Sequence, residues 1–331
     1  MRITNQMMSK SFLRDLGRNQ GYMKKLNDQL TSGKEIRRPS DNPFKVARSM
    51  QLHRDIGANT QYNENIKDTT NWLDTTDTAL EQLGNSFQRF RELMVSAGNA
   101  AYGSDEKKAI KDEMNEKVNE IAQILNSSFD GKYIFGGTKG NTKPIGTNKD
   151  IVTGNNSIHL SGNDGEVLEL DNLDESVQNQ IGMINKKLTV EVSQGVTMDY
   201  NVSATDLLLF KDKNGADVNV MGLLKEITDN IGSEDPSVSG KVTNENLKTM
   251  DETLANLLKI RAEVGAKQNR MESAGDQNEE QNFNLKDILS QTEDIDLAEK
   301  NIEATVAQSV YMASLQVSAK IIQPSLLDFL R

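Results

Sequence analysis

Residues 66–97 read IKDTTNWLDTTDTALEQLGNSFQRFRELMVSA, and their spacing decides the fold. Ile66, Leu73, Leu80, Phe87 and Met94 recur every seven residues, and Leu83, Phe90 and Ala97 form a second track of the same seam. Apolar tracks repeating by sevens keep one stripe of a helix turned toward a partner helix, which is coiled-coil spacing. From Pro43 to about Asn99 this predicts a single helix roughly 80 Å long at 1.5 Å per residue. A rod of that length needs other helices beside it.

Working outward, the partners are legible in the same period. Tyr102-Gly103-Ser104-Asp105 makes a corner, with Ser104 or Asp105 as cap. A further helix runs through Ile110, Met114, Val118, Ile121 and Leu125 and ends by Asn126-Ser127-Ser128. Far downstream, Met250, Leu257, Val264, Met271 and Leu285 share one seven-residue lattice, with Asn278 as its polar member and Leu247, Leu254 and Leu258 thickening the face. Upstream, a helix from about Gln6 to Leu30 carries Leu13, Leu16, Met23 and Leu30 at heptad-like intervals, with Phe12 and Leu26 beside them. Gly17 and Gly21 weaken it, since each costs about 1 kcal/mol against alanine in a helix interior. Arg37-Arg38-Pro39-Ser40-Asp41-Asn42-Pro43 reads as the turn between the two helices: Ser40, Asp41 or Asn42 can cap, and Pro43 suits a first helical position.

Between the rods the pattern changes. Asp130-Gly131-Lys132-Tyr133-Ile134-Phe135-Gly136-Gly137 reads as a turn and short strand, and residues 140–210 are rich in Gly, Asn, Asp and Thr. Residues 188–192 and 196–202 predict a hairpin about Ser193-Gln194-Gly195, residues 218–231 a short amphipathic helix, and residues 232–240 a linker. The last helix, about Ile295 to Phe329, has Ile302, Val306, Val310, Met312, Val317, Ile321, Ile322 and Leu326 as its broad apolar side. It closes on Leu326, Leu327 and Phe329, bulky apolar residues that call for a partner.

Composition narrows the function. The 331 residues include no cysteine and two histidines, His53 and His159, so disulfides, thiolate nucleophiles and cysteine metal sites are excluded and a histidine-based site is disfavoured. Asp212-Lys213-Asn214-Gly215-Ala216-Asp217 lacks the downstream glutamate of a calcium loop and reads as a turn. No cofactor, metal or catalytic constellation is predicted. No run of some 18–20 apolar residues could span a membrane. Residues 1–55 carry twelve basic and five acidic residues, and residues 276–331 four basic and ten acidic. Ends of opposite sign suggest that they meet, in one molecule or between neighbours. The bases are scattered among apolar positions without an aromatic platform, which argues against nucleic acid.

Several stretches resemble the flagellin family, on the side of its hook–filament junction branch. They are Arg2-Ile3-Thr4-Asn5, residues 26–34 (LNDQLTSGK), Arg38-Pro39-Ser40-Asp41-Asn42-Pro43, residues 133–139 (YIFGGTK), residues 261–272 (RAEVGAKQNRME), and the closing residues 294–299, 313–316 and 325–330. The Pro-Ser-Asp-Asn-Pro turn is closer to the junction branch than to filament flagellins. The resemblance implies a mainly helical, flagellin-like fold with long coiled-coil helices from both termini and a β-rich central insert. Its expected parts are a terminal coiled coil from 1–43 and 286–331, a helical rod from 44–140 and 240–285, and a β-rich outer part over 141–239. It further implies a structural protein and not an enzyme, exported without a cleaved signal peptide to the extracellular flagellum. The implied partners are copies of itself in a ring, the other hook-associated junction protein, flagellin and an export chaperone that shields the C-terminal helix. On that reading Leu13, Leu16, Met23, Leu30, Arg37, Arg38, Met312, Ile322, Leu326, Leu327 and Phe329 are the assembly contacts, although spacing alone also fits an ordinary intramolecular core. The filament subunit itself is the nearest alternative; an enzyme built into the insert and a cytosolic coiled-coil scaffold are the others.

Overall fold

The computed structural model describes residues 5–98, 103–151, 153–170, 174–212, 215–231 and 241–321. Helix α1 spans Asn5–Ser32, α2 Pro43–Ala97 and α3 Ser104–Leu125. Hairpin β1–β2 (Ser128–Phe129, Lys132–Tyr133) is followed by β3–β4 (Ile145–Lys149, Asn156–Leu160), α4 (Glu175–Asn185), and β5–β6 (Thr189–Ser193, Val196–Asp199). Then come α5 (Ala204–Leu208), β7–β8 (Leu209–Lys211, Asp217–Asn219) and α6 (Val220–Asn230). A π-helical turn, Val242–Asn246, leads into α7 (Leu247–Glu293), and α8 takes Leu297–Ile321. The contacts group into two compact units, one of residues 61–279 and one joining residues up to 60 with those from 280 onward.

In the unit of residues 61–279 the heptad seam is the core. Ile66, Leu73, Leu80, Leu83, Phe87, Phe90 and Met94 of α2 are buried, as are Met250, Leu257, Val264 and Met271 of α7. The helices run antiparallel: Arg261 donates to Asp77 at 2.8 and 3.1 Å and to Glu81 at 2.8 Å, Gln268 donates to Asp74 at 2.8 Å, and Arg91 reaches Asp251 at 2.5 Å. Two threonines extend the second apolar track. Thr69 and Thr76 are buried because their hydroxyls donate to the carbonyls of Asn65 and Trp72 at 2.7 and 2.8 Å, so the missing partner is supplied by the helix itself. Leu258 does not thicken the seam as expected; it is 65% exposed, one residue and some 100° round the helix from buried Leu257. Leu285 is half-buried.

The central segment forms four separate two-stranded antiparallel hairpins, with no larger sheet among the described residues. The expected hairpin about residues 193–195 is β5–β6, with Gly195 at φ +74° in its turn. The expected helix over 218–231 starts two residues later, because Asp217–Asn219 pair as β8 and Asn219 then caps α6 by accepting from Gly222 N–H at 3.1 Å. Helices α4 and α5, unpredicted, begin at Asp174 and at a Ser203–Asp206 capping box. A polar knot fastens this segment to α3: Asn115 of α3 accepts from Asn156 N–H at 2.9 Å, and Asn155 donates to Asp229 at 2.6 Å. The predicted linker, 232–240, lies outside the described residues.

Candidate assembly surface

The terminal unit is organised around a break in the chain. Asn42 accepts from Lys45 N–H at 3.2 Å and caps α2, with Pro43 at the first helical position, so the preceding turn is stopped sharply. Within that turn the Asp41 carboxylate accepts from the backbone N–H groups of Arg38 and Arg37 at 3.0 and 3.3 Å, which hold its pKa below the ordinary value. The Arg37 guanidinium stands 3.4 Å from Asp28, while Arg38 is exposed.

Where α7 gives way to α8, the backbone at Lys34 forms an isolated antiparallel bridge with Asp294. Ile295 N–H donates to Gly33 C=O at 3.1 Å and Glu35 N–H to Glu293 C=O at 2.5 Å. Side chains reinforce the bridge. Lys34 Nζ lies 2.7 Å from Asp294 and 3.1 Å from Glu293, and the Glu293 carboxylate also accepts from Ser49 and approaches His53 Nε2 at 3.1 Å. Burial pushes the Glu293 pKa up, but the hydrogen bonds from Ser49 and Lys34 outweigh it and leave it below its usual value. The bond to Lys34 likewise lowers Asp294, and the bond to Asp294 raises Lys34. The basic start and acidic end of the sequence therefore meet within one molecule.

Beyond the bridge, α1 packs along α8. Leu26 and Gln29 are buried on the inner face of α1, Leu16, Met23 and Leu30 are half-buried beside them, and Tyr22 Oη donates to Glu303 at 3.2 Å. Leu13 lies off that face and is 56% exposed. Helix α8 keeps more apolar surface than α1 covers. Ile302, Val306, Val310 and Val317 fall at i, i+4, i+8 and i+15, on one flank, and Leu297, Met312 and Leu315 fall on another; all are exposed, Ile302 at 67% and Met312 at 56%. Ile322, Leu326, Leu327 and Phe329 lie outside the described residues. Sequence periodicity did not single out Glu293, Ser49, Tyr22 or Glu303; only the opposite charge of the two ends pointed toward such contacts.

Among the described residues no group of three His, Asp or Glu side chains could hold a metal ion, and no helix is long and apolar enough to cross a membrane. What the terminal unit offers is helix surface.

Comparison with known proteins agrees with that character. Residues 3–140 match the bacterial flagellin N-terminal helical region and residues 247–330 the bacterial flagellin C-terminal helical region. The chain is 24% identical to flagellar hook-associated protein 3 of Escherichia coli over 325 residues, covering 97% of this chain and 95% of that one. It is 26% identical to flagellin of Bacillus subtilis over 326 residues, with 97% and 96% covered. The solved structure of FlgL from Xanthomonas campestris shares the fold with a TM-score of 0.56 at 15% identity, across 72% of this chain and 99% of that one. With both helical regions matched in order and nearly the full length aligned to flagellar structural proteins, the chain belongs to the flagellin family and is a non-enzymatic structural component of the bacterial flagellum.

Proposed function

We propose that this protein is the junction adaptor between hook and filament, assembled as a ring of copies through its terminal helices. The observation that carries the reading is the surplus apolar surface of α8. A helix with apolar residues on several flanks is stable in water only when those flanks are covered. Helix α1 covers one flank, so neighbouring subunits are the natural cover for the flank of Ile302, Val306, Val310 and Val317 and the flank of Leu297 and Met312. The bridge at Lys34 and Asp294 ties the chain after α1 to the turn before α8, which holds the terminal pair together in each copy. The junction role, in preference to the filament subunit, is supported by the Arg38–Pro43 turn; the full-length similarity is shared by hook-associated protein 3 and flagellin and supports the family.

In this reading residues 1–43 and 286–331 form the terminal assembly part, 44–140 and 240–285 the rod, and 141–239 the part that projects outward. Leu13, Leu16, Met23, Leu30 and Met312 supply apolar contacts, Arg37 and Arg38 polar ones, and Ile322, Leu326, Leu327 and Phe329 extend the apolar surface. The partners are copies of the chain, the other hook-associated junction protein and flagellin, with an export chaperone covering the C-terminal helix before the protein leaves the cell without a cleaved signal peptide. Deleting residues 320–331 is expected to abolish incorporation while leaving the helices of residues 61–279 folded by circular dichroism. Antibody labelling in electron micrographs should mark a ring at the filament base. Labelling along the filament, or self-polymerisation of the purified protein into long filaments, would show the filament subunit instead.

A further inference from the structure

Gly17 and Gly21 are helix-weakening residues in α1, and among the described residues a Cβ at either would meet no atom within 4 Å. A glycine in a helix interior leaves room for the close approach of another backbone. Both lie on the outward face, opposite Leu26 and the half-buried Leu16 and Met23. The same face carries Lys10, Arg14, Arg18 and Lys25, all exposed, at i, i+4, i+8 and i+15, with Gly21 at i+11. Lys10, Arg14 and Lys25 have no ion pair among the described residues, and Arg18 has only its neighbour Asp15.

Helix α7 carries the complement. Counted backward from Asp287, the positions i, i−4, i−8, i−11 and i−15 are Asp287, Phe283, Glu279, Asp276 and Glu272. These also face away from the buried Met271 and Asn278, and Phe283 is 72% exposed. Glu272, Asp276 and Glu279 have no ion pair among the described residues, and Asp287 accepts only from Gln291 of its own helix. Each stripe is about 22 Å long at 1.5 Å per residue.

We infer that the outward face of α1 in one copy docks antiparallel on the outward face of α7 in the next copy. Aligned this way Lys10 meets Asp287, Arg18 meets Glu279 and Lys25 meets Glu272. Arg14 lies over the Phe283 ring, a favourable cation–π placement. Gly21 faces Asp276 and lets the backbones approach. The antiparallel sense opposes positions of identical spacing on the two helices, i, i+4, i+8, i+11 and i+15. A parallel sense would set Arg18 and Glu279 out of step and leave Gly21, not Arg14, over the Phe283 ring. The two faces differ, so the contact is head-to-tail and generates rings or helical arrays, not closed pairs. This rests on the reading that copies assemble side by side, and it names the surfaces that do so.

The chain has no cysteine, so an engineered pair reports the contact alone. The full chain carrying Gly21→Cys and Asp276→Cys is oxidised both in sheared flagella and as concentrated purified protein. A ladder of disulfide-linked oligomers is expected, and none from either single substitution. Adding Lys10→Glu, Arg18→Glu and Lys25→Glu should reduce the ladder at least about tenfold, equivalent to about 1.4 kcal/mol. Further adding Glu272→Lys, Glu279→Lys and Asp287→Lys should restore it, since reversed stripes still match. No ladder in either preparation, or no recovery on double reversal, overturns the inference. If the protein is absent from flagella the junction reading fails on its own, and the purified chain still decides this contact.

Discussion

In residues 61–279, Leu73, Leu80, Leu83, Phe87, Phe90 and Met94 are each exposed by 1% or less, whereas Leu297, Ile302 and Val306 of α8 all exceed 55%. The residue types are alike, and both sets repeat at helical spacing. The difference is whether the chain supplies its own cover. Helix α2 finds α3 and α7 within the same unit, and the polar groups between them are matched, as Ser86 with Glu120 at 2.8 Å and Arg89 with Glu113 at 2.9 Å. Among the described residues, α8 packs chiefly along α1. Two regions of one polypeptide therefore differ in cover: one seals its apolar stripe within its own unit, and the other leaves its stripe exposed.

The largest expected effect falls on the sealed side. Phe90→Ala removes a fully buried ring from the seam, and such truncations cost about 3–5 kcal/mol. Denaturant unfolding should show a lower midpoint with an unchanged slope. A loss below about 1 kcal/mol, the range of substitutions outside a core, would mean that the seam does not hold the unit together.

A smaller effect is expected at the bridge in the terminal unit. Glu293→Gln keeps the shape but weakens the bonds from Ser49 and Lys34, and about 1–2 kcal/mol is expected. The lower figure allows for screening, because the Lys34 and His53 side chains are 43% and 58% exposed. The pH dependence follows from the sign of the shifts. Glu293 and Asp294 are held below their ordinary values of 4.5 and 3.8, so their contribution is present above those values and is lost as the pH falls through the depressed ones. Lys34 is raised above 10.5, so its share is present below that pH and is lost as pH rises through the higher value. Protection of the amides of residues 33–35 and 293–295, taken relative to their intrinsic exchange rates, should fall at the acid end in the parent, and Glu293→Gln should remove Glu293's part of that acid dependence. Identical acid profiles in the two would show that the carboxylate does not hold the bridge.

How much of this was readable beforehand follows the same division. Period alone revealed α2, α3 and α7, because their apolar residues face partners that repeat at the same interval. Turn chemistry revealed the break at residues 37–43, where Asn42 caps and Pro43 starts the helix. The period gave no sign of Thr69 and Thr76, whose hydroxyls are satisfied within the helix and so look like surface residues. Helix α4 was missed because only Ile184 of its eleven residues is buried, too few for a recurring stripe. The cluster at Glu293 was out of reach for another reason: its partners Lys34, Ser49 and His53 lie some 240–260 positions away, and only the folded chain brings them together.

The smallest effect on folding should accompany a large effect on assembly. Ile302→Ser with Val306→Ser changes two residues that are already 67% and 56% exposed, so the free protein should lose no more than about 0.5 kcal/mol per site. A serine there exposes no new apolar surface and leaves the α1 contact through Tyr22 and Glu303 in place. In an assembly where a neighbour covers that flank, each substitution instead forfeits the burial of several methylene groups, about 0.8 kcal/mol apiece. The penalty repeats at every contact. Incorporation into flagella should fall by at least an order of magnitude while the unfolding midpoint of the purified protein hardly moves. Unchanged incorporation would show that this flank of α8 stays in water in the assembled structure, and the cover for α8 would then have to be sought on the flank of Leu297, Met312 and Leu315.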